Sequence, residues 1–192
     1  MKNMFRTKAV LCITLFIVSS IFSVVSYSLS LVDEMIVTLH TNDGDKIDIG
    51  KVLFVPDNEG YRYTFLLDEE KFENQFLMMR PFKCMSTEKI MLCHLAYLYP
   101  NKNFITGDDM ADLEYDLLFL HKKPGEYGID PWNGLYYSMK VKDMGLEGSL
   151  QEVDLNVLAA PPEEGDFRPI TSDMLHPADP VLHWFPRLTI HQ

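Results

Sequence analysis

The sequence predicts a single, mainly β domain, built as an antiparallel β-barrel or a two-sheet β-sandwich of about seven or eight strands. Apolar and polar residues alternate along the chain again and again, as they do in strands with one buried face. Short turn sequences at residues 42–45 and 56–60 separate the alternating segments. With 47% apolar residues, the chain of 192 residues has enough material for one core. Sequential hairpins slightly favour the barrel because they close a sheet easily, and the two-sheet sandwich is the alternative.

The N-terminal half predicts three strands followed by a break in the pattern. Residues 35–40, 46–54 and 61–67 alternate, and Gly50 lies where the second segment changes phase, which predicts a bulge. In residues 68–76 the alternation stops, and two phenylalanines spaced four apart predict a helical turn.

The middle of the chain predicts a buried strand and a strand pair. Residues 90–99 carry few charges, which predicts a strand buried on both faces. Residues 112–119 and 135–142 alternate and predict two strands that pair antiparallel with apolar facing apolar. This register places three acids and two lysines on one face: Asp112, Glu114, Asp116, Lys140 and Lys142.

The C-terminal part predicts one more strand and an irregular tail. Residues 146–157 change the parity of their apolar positions between Leu150 and Val153, which predicts a bulge near Gln151 and Glu152. Prolines dominate residues 159–192, which we expect to form an irregular tail packed on the domain, with a helical turn at 171–175.

The N-terminus has the pattern of a secretory signal peptide. Residues 1–28 combine a basic start, a short apolar centre and a serine-rich exit, so we expect cleavage after Ser28 and a mature exported domain at residues 29–192. The alternative is an uncleaved membrane anchor at residues 9–32. Both interpretations place the domain outside the cytoplasm, in the periplasm or secreted.

Cleavage of the signal peptide would change both the cysteine content and the net charge of the protein. Cys12 leaves with the signal, and Cys84 and Cys93 are expected to form a disulfide in an oxidising compartment. Removing the three cations of the signal takes the net charge from −11 to −14. This balance excludes a nucleic-acid partner and favours a cationic protein partner.

Two segments supply candidate ligand-binding residues. The loop at residues 122–133 is long for a hairpin and carries Tyr127 and Trp132, which are suited to stacking on a ligand, and Tyr136 follows in the next strand. Arg80 precedes the predicted disulfide in a loop that would present it to an anion. Packing against the domain is the alternative role for these aromatic residues.

The sequence predicts no cofactor and no metal site. The acids at 108–116 lack the ligand order of a calcium-binding loop. His176, His183, His191 and Asp179 fit no zinc or copper spacing, so they are expected to be surface residues.

Two functions remain open from the sequence. The first is a non-catalytic exported domain that binds a cationic protein or a small apolar ligand, and the ligand version requires an open barrel interior of roughly 300 Å³. The second is a hydrolase of cell-envelope material, which requires a metal or two carboxylates that converge in one cleft, one with a raised pKa. Several local enzyme signatures, such as Gly-x-Ser-x-Gly and His-Glu-x-x-His, are absent from the sequence, which favours the first function.

Overall fold

The computed structural model describes residues 31, 33–77, 81–143, 145–163 and 165–192, so the predicted signal peptide, the alternative anchor and Arg80 lie outside the described residues, apart from Leu31 at the end of the anchor. The described residues form one antiparallel sheet of twelve strands. The strands are β1 Glu34–His40, β2 Lys46–Asp57, β3 Gly60–Leu67, β4 Glu73–Phe76, β5 Pro81–Ser86, β6 Met91–His94, β7 Phe104–Ile105, β8 Phe119–Lys122, β9 Gly134–Lys142, β10 Gly145–Val153, β11 His176–Pro177 and β12 Arg187–His191.

The sheet is strongly curled. Its strand order is β4-β5-β6-β8-β9-β10-β12-β1-β2-β3-β7, with β11 added beside β10. Only residues 68–72 connect β3 to β4, although a flat sheet would separate these strands by nine spacings, or about 43 Å. Since the connection spans at most about 21 Å, the two ends of the sheet must approach each other. Among the described strands β4 and β7 do not pair, so the sheet is not closed, and the predicted barrel or sandwich of about eight strands is not confirmed.

The sheet buries apolar residues on both faces. Strands from both halves of the sheet contribute to one inner cluster, which fills the curl with side chains such as Val37, Leu92 and Tyr137. A second cluster covers the outer face of the region from β5 to β10. It contains residues adjacent in sequence to those of the inner cluster, such as Cys93 beside Leu92 and Tyr136 beside Tyr137. Neighbours on a strand point to opposite faces, so this part of the sheet is buried on both sides.

Several predicted elements are confirmed. The strands of the first hairpins lie where the alternation placed them, and β2 carries a bulge that shifts its register against β1 between Val37 and Thr38, next to Gly50. Met91–His94 forms a strand buried on both faces, although the chain leaves the sheet after it. Cys84 and Cys93 form the expected disulfide and lie opposite each other on β5 and β6.

The predicted strand at 112–119 is wrong. Ala111–Asp116 forms the only α-helix in the described residues, α1, and β8 begins at Phe119. Leu113 and Leu117, four residues apart, join the inner cluster, whereas Tyr115 joins the outer one. A short helix with two buried faces therefore gives apolar residues at every second position, as a strand does.

Further details of the prediction fail with this helix. The acids of α1 do not lie on a strand paired with β9, and Lys142 pairs with Glu147 of β10 at 2.9 Å. No bulge interrupts β10 against β9. Leu150 and Val153 change parity because they belong to the inner and outer clusters, respectively.

The last corrections concern 68–76 and the tail. Phe72 is buried and Phe76 is exposed, because residues 69–71 form a turn that leads into β4. The tail has the expected helical turn at Ser172–Met174, but it ends in β12, which pairs with both β10 and β1 at the centre of the sheet. In the part of the chain that is described, no helix has the length and apolarity needed to span a bilayer.

Candidate functional site

An apolar groove of 360 Å³ lies on the outer face of the sheet. Phe82 of β5 and Leu120 of β8 line it from the sheet, and residues 95–99, 129–131 and 155–159 provide its walls. All of its lining side chains are apolar or aromatic. The expected ligand site in an open barrel interior is wrong, because the inner cluster fills the curl of the sheet with side chains. Ligand pockets have volumes of roughly 300–1,000 Å³ and are mostly apolar, so the outer groove has the size and the surface of a site for a small apolar molecule.

Local hydrogen bonds hold two walls of the groove in place. The buried Lys122 donates from Nζ to the main-chain oxygens of Glu126 and, at 2.7 Å, of Gly128. Asp130 accepts a hydrogen bond from the main chain of Trp132, and Asp154 accepts one from Asn156 where the third wall begins. The groove is therefore formed by an ordered loop and a capped 3₁₀ turn.

The aromatic residues predicted to bind a ligand, Tyr127, Trp132 and Tyr136, are not among the residues that line this groove. Tyr127 and Trp132 are exposed on the loop that provides one wall, but Ile129 and Pro131 are the lining residues of that loop. Tyr136 is buried in the outer cluster, where its hydroxyl donates to Glu114. The predicted loop therefore contributes a wall of the groove, but the three predicted side chains are not among the residues that line it.

A second cavity of 330 Å³ lies between β3 and β6, and we call it the acceptor cavity. Its lining residues are Tyr63, Thr64, Phe65, His94, Ala96, Tyr97, Asn103 and Asp116. Asp116 ends helix α1 and accepts hydrogen bonds from the Tyr63 hydroxyl at 2.7 Å and from the Asn103 amide at 3.3 Å. The fold thus brings together residues from β3, β6, α1 and the segment before β7.

Burial shifts the titration of the groups in the acceptor cavity. It raises the pKa of the Asp116 carboxyl, against the opposing effect of the hydrogen bond from Tyr63. It lowers the pKa of His94, whose Nε2 lies 2.8 Å from the main-chain oxygen of Asp116. Burial and the Asp116 charge also raise the pKa of Tyr63. Burial therefore disfavours the charged form of each of these three groups.

The groove and the acceptor cavity are neighbours. Both are lined by Ala96 and Tyr97, in the segment where the chain leaves β6 and no longer pairs in the sheet. The Tyr97 hydroxyl donates to the main-chain oxygen of Phe167, and its ring packs against Tyr115 with 4.7 Å between the centroids. Tyr97 is therefore held as a wall, whereas the small and exposed Ala96 leaves the space above it open.

The other acids of α1 are already engaged. Asp112 pairs with Arg168 of the tail, and Glu114 accepts from Tyr136 and from the main chain of Met139. Among the described residues that line the acceptor cavity, Asp116 is the only one with a carboxylate. A carboxylate-pair hydrolase needs a second acid facing the same cleft, and neither Asp112 nor Glu114 provides it.

His183 and His191 of the tail have different partners. His183 lies 2.7 Å from Glu152 and stacks edge-on with His121, whereas His191 contacts Thr38 on the far side of β12. Among the residues that the structure describes, no three histidines, cysteines or acids are arranged to hold a metal ion.

Sequence reasoning did not identify the acceptor cavity. The strand predicted at 112–119 places Asp116 on one face with Lys140 and Lys142, and His94 belongs to none of the predicted sites. The one available signal was a histidine inside an almost uncharged segment, and it does not indicate the residues that surround it. Neither a protein family, nor a curated protein, nor a solved structure was found to match this chain.

Proposed function

We propose that this protein is a non-catalytic, exported binding domain whose apolar groove takes a small apolar ligand. The observation that carries the proposal is the groove itself, which has a volume of 360 Å³ and no charged lining residue. Moving a ligand from water into such a groove is favourable by roughly 25 cal/mol for each Å² of apolar surface removed from water. The two ordered walls support binding because little chain entropy is lost when the ligand enters.

Export is the second part of the proposal. The basic and apolar N-terminus and the Cys84–Cys93 disulfide support it, since structural disulfides persist in oxidising compartments. The test is the intact mass of the protein purified from the exported fraction, with and without reductant. The proposal is supported by the mass of a chain that begins near Leu29 and is two hydrogens lighter than the dithiol form. It is overturned by the mass of the full-length chain with free thiols.

Binding in the groove is tested with N-phenyl-1-naphthylamine, a neutral fluorophore that brightens in apolar sites. We expect the oxidised protein to enhance its emission saturably and 1-octanol to displace it. Ala159 lines the groove and is exposed, so Ala159→Phe fills the groove without disturbing the core. The matched control is Ala160→Phe, which adds the same ring at an exposed neighbour that is not a lining residue.

The two variants separate a groove ligand from general surface binding. Loss of the emission in Ala159→Phe together with its retention in Ala160→Phe assigns binding to the groove. Equal emission in both variants, or no emission with the unmodified protein, overturns the proposed ligand site.

A further inference from the structure

The Asp116 carboxylate has one unused oxygen. Its Oδ2 accepts from Tyr63 and from Asn103, and a hydrogen bond from the Asn101 side chain also lowers the pKa of this carboxyl. No hydrogen bond within normal distance and angle reaches Oδ1 from the described residues. No side-chain oxygen or nitrogen that is sealed from solvent lacks a partner in the described part of the chain. Oδ1 is therefore accessible, and it belongs to a residue that lines the acceptor cavity.

His94 provides a second unused acceptor. Its Nε2 lies 2.8 Å from the main-chain oxygen of Asp116, and a carbonyl oxygen can only accept. Nε2 must therefore carry the hydrogen, which leaves Nδ1 of the neutral ring as an acceptor. Nδ1 also lacks a partner among the described residues and, by the same reasoning as for Oδ1, is accessible.

The surroundings of these acceptors suit a cation. Lysine and arginine are absent from the described lining of the acceptor cavity, although an unused carboxylate oxygen is present. The rings of Phe65, Tyr63 and Tyr97 supply aromatic surface, which attracts organic cations. An ammonium group has three donors and no acceptor. It would place a positive charge beside the Asp116 carboxylate and could donate hydrogen bonds to Asp116 Oδ1 and His94 Nδ1.

We infer that the acceptor cavity binds the ammonium head of an amphiphilic amine whose apolar chain lies in the groove. The inference rests on the proposed function for the apolar chain and adds the class of head group. The head donates to Asp116 Oδ1 and His94 Nδ1, and the chain passes over Ala96, which lines both cavities. The acidic balance of the chain attracts such a cation at long range.

The test compares two ligands that differ only in the head group, octylammonium and 1-octanol. Each displaces N-phenyl-1-naphthylamine from the oxidised protein at pH 8 in about 0.15 M salt, which screens the general attraction of an acidic surface. We expect octylammonium to bind about tenfold more tightly than octanol, as hydrogen bonds to charged groups provide. Asp116→Asn should reduce this ratio to near one and leave octanol binding unchanged.

The control variant is Asp108→Asn. It removes the same charge from an exposed acid near α1 that does not line the acceptor cavity. It should keep the tenfold preference for octylammonium. A preference lost equally in both variants overturns the inference, because it would reflect the total charge of the protein.

A nitrogen-15 spectrum of His94 in the unmodified protein provides a measurement that is independent of how Asp116→Asn folds. Octylammonium should shift the Nδ1 resonance and octanol should not. Equal binding of the two ligands with no Nδ1 shift overturns the head-group inference and leaves the proposed groove intact. If neither ligand binds, the proposed function and the inference both fail.

Discussion

Arg168 of the tail and Asp112 of helix α1 form an ion pair across 56 positions of the chain, with Arg168 Nε 2.8 Å from Asp112 Oδ1. The Asp112 side chain is only 4% exposed, and the same guanidinium also binds Asp109 at 2.9 Å. Two residues later, the main-chain N–H of Ile170 donates to the hydroxyl of the buried Tyr115. These contacts attach the tail to α1.

The first prediction concerns this attachment. Arg168→Ala leaves the buried carboxylate of Asp112 without its cation, so we expect the free energy of unfolding in urea to fall by about 2 kcal/mol. The value lies below the roughly 3–5 kcal/mol that removing one partner of a fully buried pair costs, because Arg168 is 34% exposed. The control is Lys51→Ala, which breaks an exposed pair with Glu34 and should cost less than about 1 kcal/mol. Equal losses in the two variants would contradict a tail held by a buried ion pair.

The second prediction concerns the disulfide. Cys84 and Cys93 are buried, and their bond closes a short loop whose entropy in the unfolded chain is worth about 2.7 kcal/mol. Cys84→Ala with Cys93→Ala should lower the free energy of unfolding by about that amount. Reductant should lower the stability of the unmodified protein and leave that of the double variant unchanged. A reductant effect on both proteins would show that the loss has another origin.

The third prediction concerns pH. Burial raises the pKa of Glu114, so the folded state holds this proton more tightly than the unfolded chain. The stabilisation is complete below the ordinary glutamate pKa and is lost as the pH rises through the folded value. Glu114→Gln resembles the protonated acid, so its stability should fall less steeply than that of the unmodified protein from pH 4.5 upward in urea titrations.

An exposed acid provides the control for this pH profile. Glu163→Gln removes a charge from an exposed part of the tail and should leave the profile as it is in the unmodified protein. Parallel profiles for the unmodified protein and Glu114→Gln would contradict a raised pKa at Glu114.

The fourth prediction concerns the last strand. Ile190 of β12 has no exposed surface and belongs to the inner cluster. Ile190→Ala removes buried carbon atoms from a filled core, so we expect a loss of about 2–5 kcal/mol in thermal or urea unfolding. Gln192→Ala changes an exposed neighbour and should have little effect. A small loss for Ile190→Ala would mean that β12 is not an integral part of the sheet.

The elements that were predicted correctly are those whose signals are local. The first hairpins combine alternation with turn residues, and Gly44 at the first turn has a φ of 93°, which favours glycine. The disulfide followed from the cysteine count and the compartment. In both cases, the residues that supported the prediction, the turn residues and the cysteines, themselves form the turn or the bond that was predicted.

The elements that were missed depend on long-range contacts. Helix α1 is six residues long, so its buried faces produced the alternation of a strand. Strand β12 lies among residues that look irregular because prolines precede it, and its partners β10 and β1 are distant in the sequence. The acceptor cavity joins Tyr63, His94 and Asp116, and no spacing in one sequence indicates that they meet.

The position of β12 also constrains the order of folding. Along the path of described strands, it is the only link between the part of the sheet that ends at β10 and the part that begins at β1. Because synthesis proceeds from the N-terminus, both parts exist before the strand that joins them. Until residues 187–191 are made, the inner cluster lacks two of its members, Leu188 and Ile190. The growing chain is thereby kept from completing its fold until residues 187–191 have been made.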